Sequence, residues 1–481
     1  MTATLFFYDL ETSGINPRSA RIMQFAGQRT DLTLKPVGEP VNLLIKLSDD
    51  ALPEPDAIMV TGITPQHTRA EGMTEVEFLR IFHEEVAVPG TIFVGFNTIR
   101  FDDEFMRYLQ YRSFYDPYEW QWQDGRGRWD LLDVVRLTRA LRPDGITWPF
   151  SPDGKPSNRL ELLTSVNGLD HVGAHDALAD VKATIAVARL IRNKQTKLFD
   201  YLLSMRNKRE VAELVEKSQP FVYASGKYSA EYEKTTVAVK VVDHPDRQGV
   251  AVFDLRFDPA EYTSKSAAEL AELWRYKKDP TEPRLPVKLL LYNRCPAVAP
   301  LGVLDEASQK RLKLDITSIQ AHHAKLKAAK DFGAKIIEAI EILNKEQQTR
   351  LLADELDVDA QLYDGFFSKA DQTVMRAVRA AEPSEITDFV DRFQDPRLKA
   401  LIPLYKARNF PKSLTAEERQ QWEVYRLHAL TDGGSQSRLH KFFSRLEELM
   451  ANKHLSDEKR YVLEELRLYG ESIMPDPDFA S

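Results

Sequence analysis

Apolar positions follow three different rhythms along this chain. Over the first 195 residues, short apolar runs alternate with stretches of helical period. Leu5–Leu10 reads as a strand, Ile22–Arg29 as a second, and Thr91–Phe96 as a short buried one leading into a loop at Asn97–Arg100. Helical spacing follows over Asp102–Arg112, Asp130–Leu141 and Ala177–Arg192, where Leu178, Val181, Ile185 and Ala188 line one side. Strands and helices mixed in this way predict an α/β sheet domain. Past about residue 196 the rhythm changes. Thr235–Val242, the turn His244–Gly249 and Val250–Leu255 read as a β-hairpin, with charged helical stretches at Ser266–Lys277 and Gln320–Asn344. From about residue 351 the pattern is helical almost throughout. Ser437–Ala451 and Asp457–Glu471 are amphipathic, and Leu439, Phe442, Phe443 and Leu446 read as core. The expected organisation is an α/β domain over 1–195, a small β domain with helical insertions over 196–350, and an all-α domain over 351–481.

Composition supports several folded domains without staples: 481 residues, 43% hydrophobic and 29% charged. The single cysteine, Cys295, excludes an intramolecular disulfide and reads as a buried structural thiol in a reducing cytosol. No stretch approaches the roughly 18 apolar residues of a membrane span, and the N-terminus shows no basic region or cleavage site of a signal peptide. A cytoplasmic protein without membrane contact is expected.

The net charge of −8 argues against a nucleic-acid partner only until it is divided along the chain. Residues 1–195 carry −6, residues 196–350 carry +4 and residues 351–481 carry −6. Within the middle segment, Arg275–Lys330 holds 12 basic against 5 acidic residues. A local basic surface is what phosphate contact needs.

Five residues carry the candidate chemistry. Asp9 and Glu11 lie two apart on a strand and project from one face. Two adjacent carboxylates repel unless cations neutralise them, and Mg²⁺ or Mn²⁺ favours such oxygen ligands. Asp102 opens a helix, His175 precedes another with Asp176 as its N-cap, and Asp180 falls in that helix's first turns. The set fits two-metal phosphoryl transfer. Asp9 would bridge ions roughly 3.5–4 Å apart, Glu11 and Asp180 would complete the nucleophile-side metal, and Asp102 would hold the leaving-group metal. An imidazole, with an ordinary pKa of about 6.5, suits His175 to deprotonate the attacking water.

At these residues the chain resembles the DEDDh superfamily of 3′→5′ exonucleases, and within it bacterial exonuclease I. The motifs are Phe101-Asp-Asp-Glu104, Phe114-Tyr-Asp-Pro-Tyr118, Arg128-Trp-Asp-Leu-Leu-Asp133, Ala140-Leu-Arg-Pro143, Arg159-Leu-Glu161 and His175-Asp-Ala-Leu-Ala-Asp180, with Leu198-Phe-Asp-Tyr-Leu202, Asp359-Ala-Gln-Leu-Tyr363, Gly365-Phe-Phe-Ser368 and Ala407-Arg-Asn-Phe-Pro411 further on. The resemblance implies an RNase H-like exonuclease domain, an SH3-like β domain and a C-terminal helical domain. It also implies processive degradation of single-stranded DNA to mononucleotides with two Mg²⁺ ions (Mn²⁺ as an alternative), in repair and recombination. The tail of single-stranded-DNA-binding protein is implied as a partner through Arg142, and a monomer is expected.

Single-strand binding needs cations for phosphates and flat rings for bases. The segment Arg107–Arg136 is rich in both, and Arg107, Tyr118, Trp122 and Arg136 are the expected contacts, together with Glu11 and Thr12 beside the metals. Arg159 is read as a phosphate contact, with a structural ion pair as the alternative. Arg275, Lys277, Lys278, Lys288 and Arg294 are expected to line the channel. Two further readings stay open: a 3′ exoribonuclease of the same fold, because metal ligands do not read the 2′ position, and a non-catalytic single-strand-binding module.

Overall fold

The computed structural model describes residues 3–475 apart from 172, 174, 280 and 354–356; the last six residues of the third expected domain lie outside this range. Its first sheet has five strands, β1 (Thr4–Thr12), β2 (Ile22–Thr30), β3 (Val41–Leu44), β4 (Thr91–Gly95) and β5 (Gly127–Asp130), in the order β3-β2-β1-β4-β5. Antiparallel pairing joins β1 to β2 and β2 to β3, whereas β4 and β5 run parallel to β1. The three strands expected from the apolar pattern are present. The short β3 and β5 escape that pattern, β3 because it is a partly exposed edge strand of only four residues.

Seven helices precede residue 195: α1 (Pro55–Thr61), α2 (Pro65–Glu71), α3 (Glu75–Ile81), α4 (Asp102–Arg112), α5 (Leu131–Leu141), α6 (Leu160–Val166) and α7 (Ala177–Lys194). Strand β1 is buried on both faces. Phe6, Tyr8 and Leu10 pack with Phe78, Phe105, Met106 and Trp120 on the α3–α4 side, while Leu5 and Phe7 pack with Val135, Leu163 and Val181 on the α5–α7 side. The period of two continues that second face into Asp9 and Glu11. Parallel pairing with β4 stops at Phe7–Val94, so β1 runs past the end of its neighbour. This leaves a crevice at the carboxyl ends of the parallel strands, where open α/β sheets place their sites.

The second sheet is antiparallel, in the order β10-β6-β7-β8-β9: β6 (Phe221–Ala224), β7 (Thr235–Asp243), β8 (Gly249–Asp254), β9 (Val287–Leu291) and β10 (Ala297–Pro300). The expected hairpin is β7–β8. The helical stretch expected over Gln320–Asn344 divides into helices Ile316–Ala328 and Phe332–Ala353. The break lets Ile319 and Leu326 on one helix, and Phe332, Ile336 and Ile340 on the other, enter the same core.

The remainder is helical. Two of the sequence motifs prove to be structural here: Asp359 pairs with Arg21 (2.6 Å) and Arg408 (2.8 Å), and Arg408 pairs with Asp50 (2.6 Å). These buried charges join the third segment to the first, and the two arginines hold the Asp359 carboxyl well below the usual carboxylate range despite its burial. Phe442 and Leu446 bury against Ile58 and Ile63 as core, as their spacing predicts.

Candidate active site

Asp9, Glu11 and Asp180 each offer a carboxylate oxygen, and these oxygens lie within 4.8 Å of one another. Two come from one face of β1. The third comes from the first turn of α7, whose N-cap Asp176 accepts a hydrogen bond from the Ala179 amide. Asp102 is 4% exposed and stands beside this cluster, where its Oδ1 accepts from the Leu10 amide at 3.2 Å. That amide belongs to the part of β1 beyond the end of β4.

The two neighbouring aspartates of Phe101-Asp-Asp-Glu104 have separate roles. Asp103, 1% exposed, accepts from the Tyr8 hydroxyl at 2.5 Å and pairs with Arg128. Arg128 in turn donates to the Asn293 carbonyl at 2.6 Å, tying the first sheet domain to the second. Cys295 is buried beside it, its thiol donating to the Arg128 carbonyl and pushed up to about 12 by burial. It is an inert structural thiol, as expected.

Burial and crowding leave the carboxylates poorly suited to carry charge alone. Burial first, then Asp102 and Asp180, raise the Asp9 carboxyl well above the usual range. Burial, then Asp9 and Asp180, push Glu11 up to about 9, and burial is also the main cause that raises Asp102. An all-oxygen donor set under such repulsion fits divalent cations. Between its ordinary value near 4.5 and about 9, folded metal-free protein keeps a Glu11 proton that the unfolded chain has released. Stability of the metal-free protein is therefore expected to fall as pH rises through that window, and added Mg²⁺ should restore it with proton release. Melting curves from pH 5 to 9, with and without metal, check this; a flat metal-free profile would count against it.

The histidines are arranged differently from expectation. His175 is exposed, with a positive φ of 71°, and forms no hydrogen bond to a described residue. It lines a cavity of about 410 Å³ together with Gln24, Asn42, His67, Glu71 and Asp176. The ring that touches the cluster is His171, which lies 2.5 Å from Asp180 Oδ1 through Nε2 and 3.1 Å from Thr164 Oγ1 through Nδ1. Sequence reading passed over His171, although His-x3-His-x4-Asp places both rings ahead of one helix.

Among the expected strand contacts, Trp122 is 62% exposed and Tyr118 half-buried. Arg107 is 9% exposed, paired with Glu104 at 2.6 Å and Gln121 at 3.0 Å, with its guanidinium 5.6 Å from the Tyr118 ring centre. It backs Tyr118 instead of facing solvent, because Glu104 one turn earlier and Gln121 take its two terminal nitrogens, while its Nε is buried with no hydrogen-bond partner among the described residues. Arg136 pairs with Asp133 at 2.6 Å beneath Gly226, where a Cβ would come within 3.0 Å of the guanidinium. Thr12 donates its hydroxyl to the Gly14 carbonyl at 2.8 Å. Arg159 is exposed and pairs with Glu161 at the surface, where water screens the pair and leaves the guanidinium able to exchange Glu161 for a phosphate.

In the second domain Arg275 is taken up by Glu272 and Glu346, and Lys277 by Glu272, because the neighbouring helices supply acids. Lys288 and Lys227 form no ion pair among the described residues. Burial lowers both, and Lys227 is further lowered by the charges of Lys288, Arg294 and Arg100. Arg294 lies 3.8 Å from Glu104 and Arg100 pairs with Asp133 at 2.5 Å, so Lys227 and Lys288 are the cations of this group left without an ion pair among the described residues, and they suit a polyanion. Sequence reading missed Lys227, and it missed Tyr363, bonded to Glu104, and Phe366, which is 92% exposed.

Three family models match in order: Exonuclease over residues 6–188, Exonuclease I SH3-like domain over 206–341, and Exonuclease I C-terminal domain over 356–473. Exodeoxyribonuclease I of Haemophilus influenzae is 39% identical over 478 residues, covering 98% of this chain and 99% of that protein. Escherichia coli exonuclease I in complex with a dA16 oligonucleotide is 38% identical with a TM-score of 0.90, over 98% of this chain and all of that one. A solved SSB/Exonuclease I structure with an inhibitor is 37% identical with a TM-score of 0.88, at the same coverage.

Proposed function

The chain belongs to the exonuclease I family and is a 3′→5′ exodeoxyribonuclease of single-stranded DNA, and we propose that Asp9, Glu11, Asp102 and Asp180 hold two Mg²⁺ ions for it. The observation that carries this reading is the convergence of β1 and α7 carboxylates within 4.8 Å. Held there, divalent ions would supply a lowered pKa for the attacking water and charge stabilisation for the departing 3′ oxygen. Asp9 would be the shared ligand, with Glu11 and Asp180 on the nucleophile side and Asp102 on the leaving-group side. His175, on the loop before α7, would take the proton of the attacking water. Products are 5′-mononucleotides, released processively in DNA repair and recombination within the cytoplasm. The test is incubation of 3′- and 5′-labelled DNA and RNA oligonucleotides with Mg²⁺ or EDTA. Loss of DNA 3′ ends with Mg²⁺ alone is expected; intact 3′ ends would sink the reading, and faster loss of RNA would replace it with an exoribonuclease.

The strand is gripped between domains. Tyr118, Trp122, Tyr363 and Phe366 offer ring faces to bases, while Arg136, Arg159, Lys227, Lys288 and Arg294 meet phosphates. Affinity should fall with salt at a log–log slope of about −0.7 per phosphate contacted. Replacing Lys227 and Lys288 together by alanine should flatten that slope by about 1.4; an unchanged slope in a fluorescence-anisotropy titration would remove both from the channel.

Arg142 supports a protein partner. Its guanidinium donates to the Leu141 and Val303 carbonyls at 2.7 and 2.9 Å and pairs with the exposed Asp305 at 3.4 Å, while 38% of the side chain stays open to solvent, where an incoming carboxylate can replace Asp305. It suits the acidic C-terminal tail of single-stranded-DNA-binding protein, bound by a monomeric enzyme. The working division of the chain is 1–195, 196–350 and 351–481.

A further inference from the structure

We propose that Gln24 is a positioning residue that clamps the first turn of α7, and with it Asp180, to the strand beside Glu11, and so sets how tightly the carboxylate cluster binds divalent cations. This rests on the reading of that cluster as a metal site.

Gln24 lies on β2 directly opposite Glu11 in the antiparallel register and is 4% exposed. Its amide is fully used. Nε2 donates to Asn42 Oδ1 on β3 at 3.0 Å and to Asp176 Oδ2 at 3.0 Å, while Oε1 accepts from the Ala177 amide at 3.2 Å. The bonding pattern also assigns the amide's orientation, since only a carbonyl oxygen can accept from Ala177 and only the NH₂ can serve both neighbouring acceptors. Asp176 passes the restraint on. Its other oxygen caps the Ala179 amide at 3.0 Å, and its carbonyl accepts from the Asp180 amide at 3.0 Å. A single side chain thus connects the strand neighbour of Glu11 to the turn that carries Asp180.

The neutrality of Gln24 matters as much as its reach. A lysine or arginine there would place a cation where the carboxylates gather metal, and a glutamate would face Asp176 as a like charge. An amide supplies the donor for Asp176 and the acceptor for Ala177 without either conflict. Residues that orient metal ligands in this indirect way typically contribute 10–100-fold in metal affinity.

Mn²⁺ binding to metal-free protein, read from the electron paramagnetic resonance of free Mn²⁺, tests the clamp beside single-strand affinity in EDTA and thermal melting. Gln24→Met should weaken Mn²⁺ binding about tenfold, leave single-strand affinity unchanged, and raise the Mg²⁺ needed for half-maximal hydrolysis, the loss being recovered at high Mg²⁺. Gln24→Glu should be worse, and Gln24→Glu with Asp176→Asn should recover most of the loss, because the donor and acceptor are exchanged and asparagine caps a helix as well as aspartate. Wild-type Mn²⁺ affinity in Gln24→Met, or no recovery in the double variant, would overturn the proposal. Should Gln24→Met fail to fold, the comparison of Gln24→Glu with the double variant decides it. Mn²⁺ binding that survives Asp9→Ala intact would instead overturn the metal site itself, a separate outcome.

Discussion

Asp9→Ala should lower turnover on single-stranded DNA by about 10³-fold or more, while the metal-free protein melts no lower than wild type. The first half follows from ligand sharing. Metal charge stabilisation is worth several kcal/mol in the transition state, and each 1.36 kcal/mol is tenfold in rate. The second half follows from repulsion. Asp9 is raised by burial and by three neighbouring aspartates, so its removal relieves the cluster. Its strand partner is the small Ala26, and little packing depends on the carboxylate. Added Mn²⁺ should raise the melting temperature of wild type much more than that of the variant. A near-normal rate, or a variant that no longer folds, would contradict the shared-ligand assignment.

His175→Ala should cost 10²–10⁴-fold in turnover, the usual worth of a general base, with single-strand affinity in EDTA and Mn²⁺ binding unchanged. Those two readouts separate it from His171→Ala. His171 touches Asp180, so its removal should act on Mn²⁺ binding as well as on rate. The pair of variants decides between the rings. If rate collapses with His171→Ala and survives His175→Ala, the base is His171, and the outward position of His175 is its working one. Equal losses of binding and rate in His175→Ala would make that histidine structural.

Much of this site was legible because it depends on local periodicity. Residues two apart on a strand share a face, which is enough to pair Asp9 with Glu11 and to continue the buried face of Leu5 and Phe7. A carboxylate one turn inside a helix is equally local, which covers Asp180. The strand contacts were harder. Arginine and aromatic residues read alike whether they meet DNA or each other, and Arg107 proved committed to Glu104 and Gln121. Arg275 and Lys277 belong to the same class, since the acids that neutralise them sit on nearby helices. Lys227 went unnoticed because a single lysine has no pattern; only the approach of Arg100, Lys288 and Arg294 from other elements makes it conspicuous.

The chemistry is written along the chain: four carboxylates and a histidine in an order that admits divalent metals and phosphodiester hydrolysis, on an α/β frame followed by β and helical segments. The motif already singled out Asp102 of the Asp102–Asp103 pair, and the tertiary structure supplies the physical reason the two aspartates differ. β1 outruns β4 and leaves the Leu10 amide for Asp102, while Tyr8 and Arg128 claim Asp103. The tertiary structure also brings His171 onto Asp180, ties α7 through Gln24 to the strand beside Glu11, and adds Arg100 of the first domain to the cations around Lys227. Each of these depends on groups far apart in the chain meeting within a few ångströms, and spacing along a sequence carries no record of that.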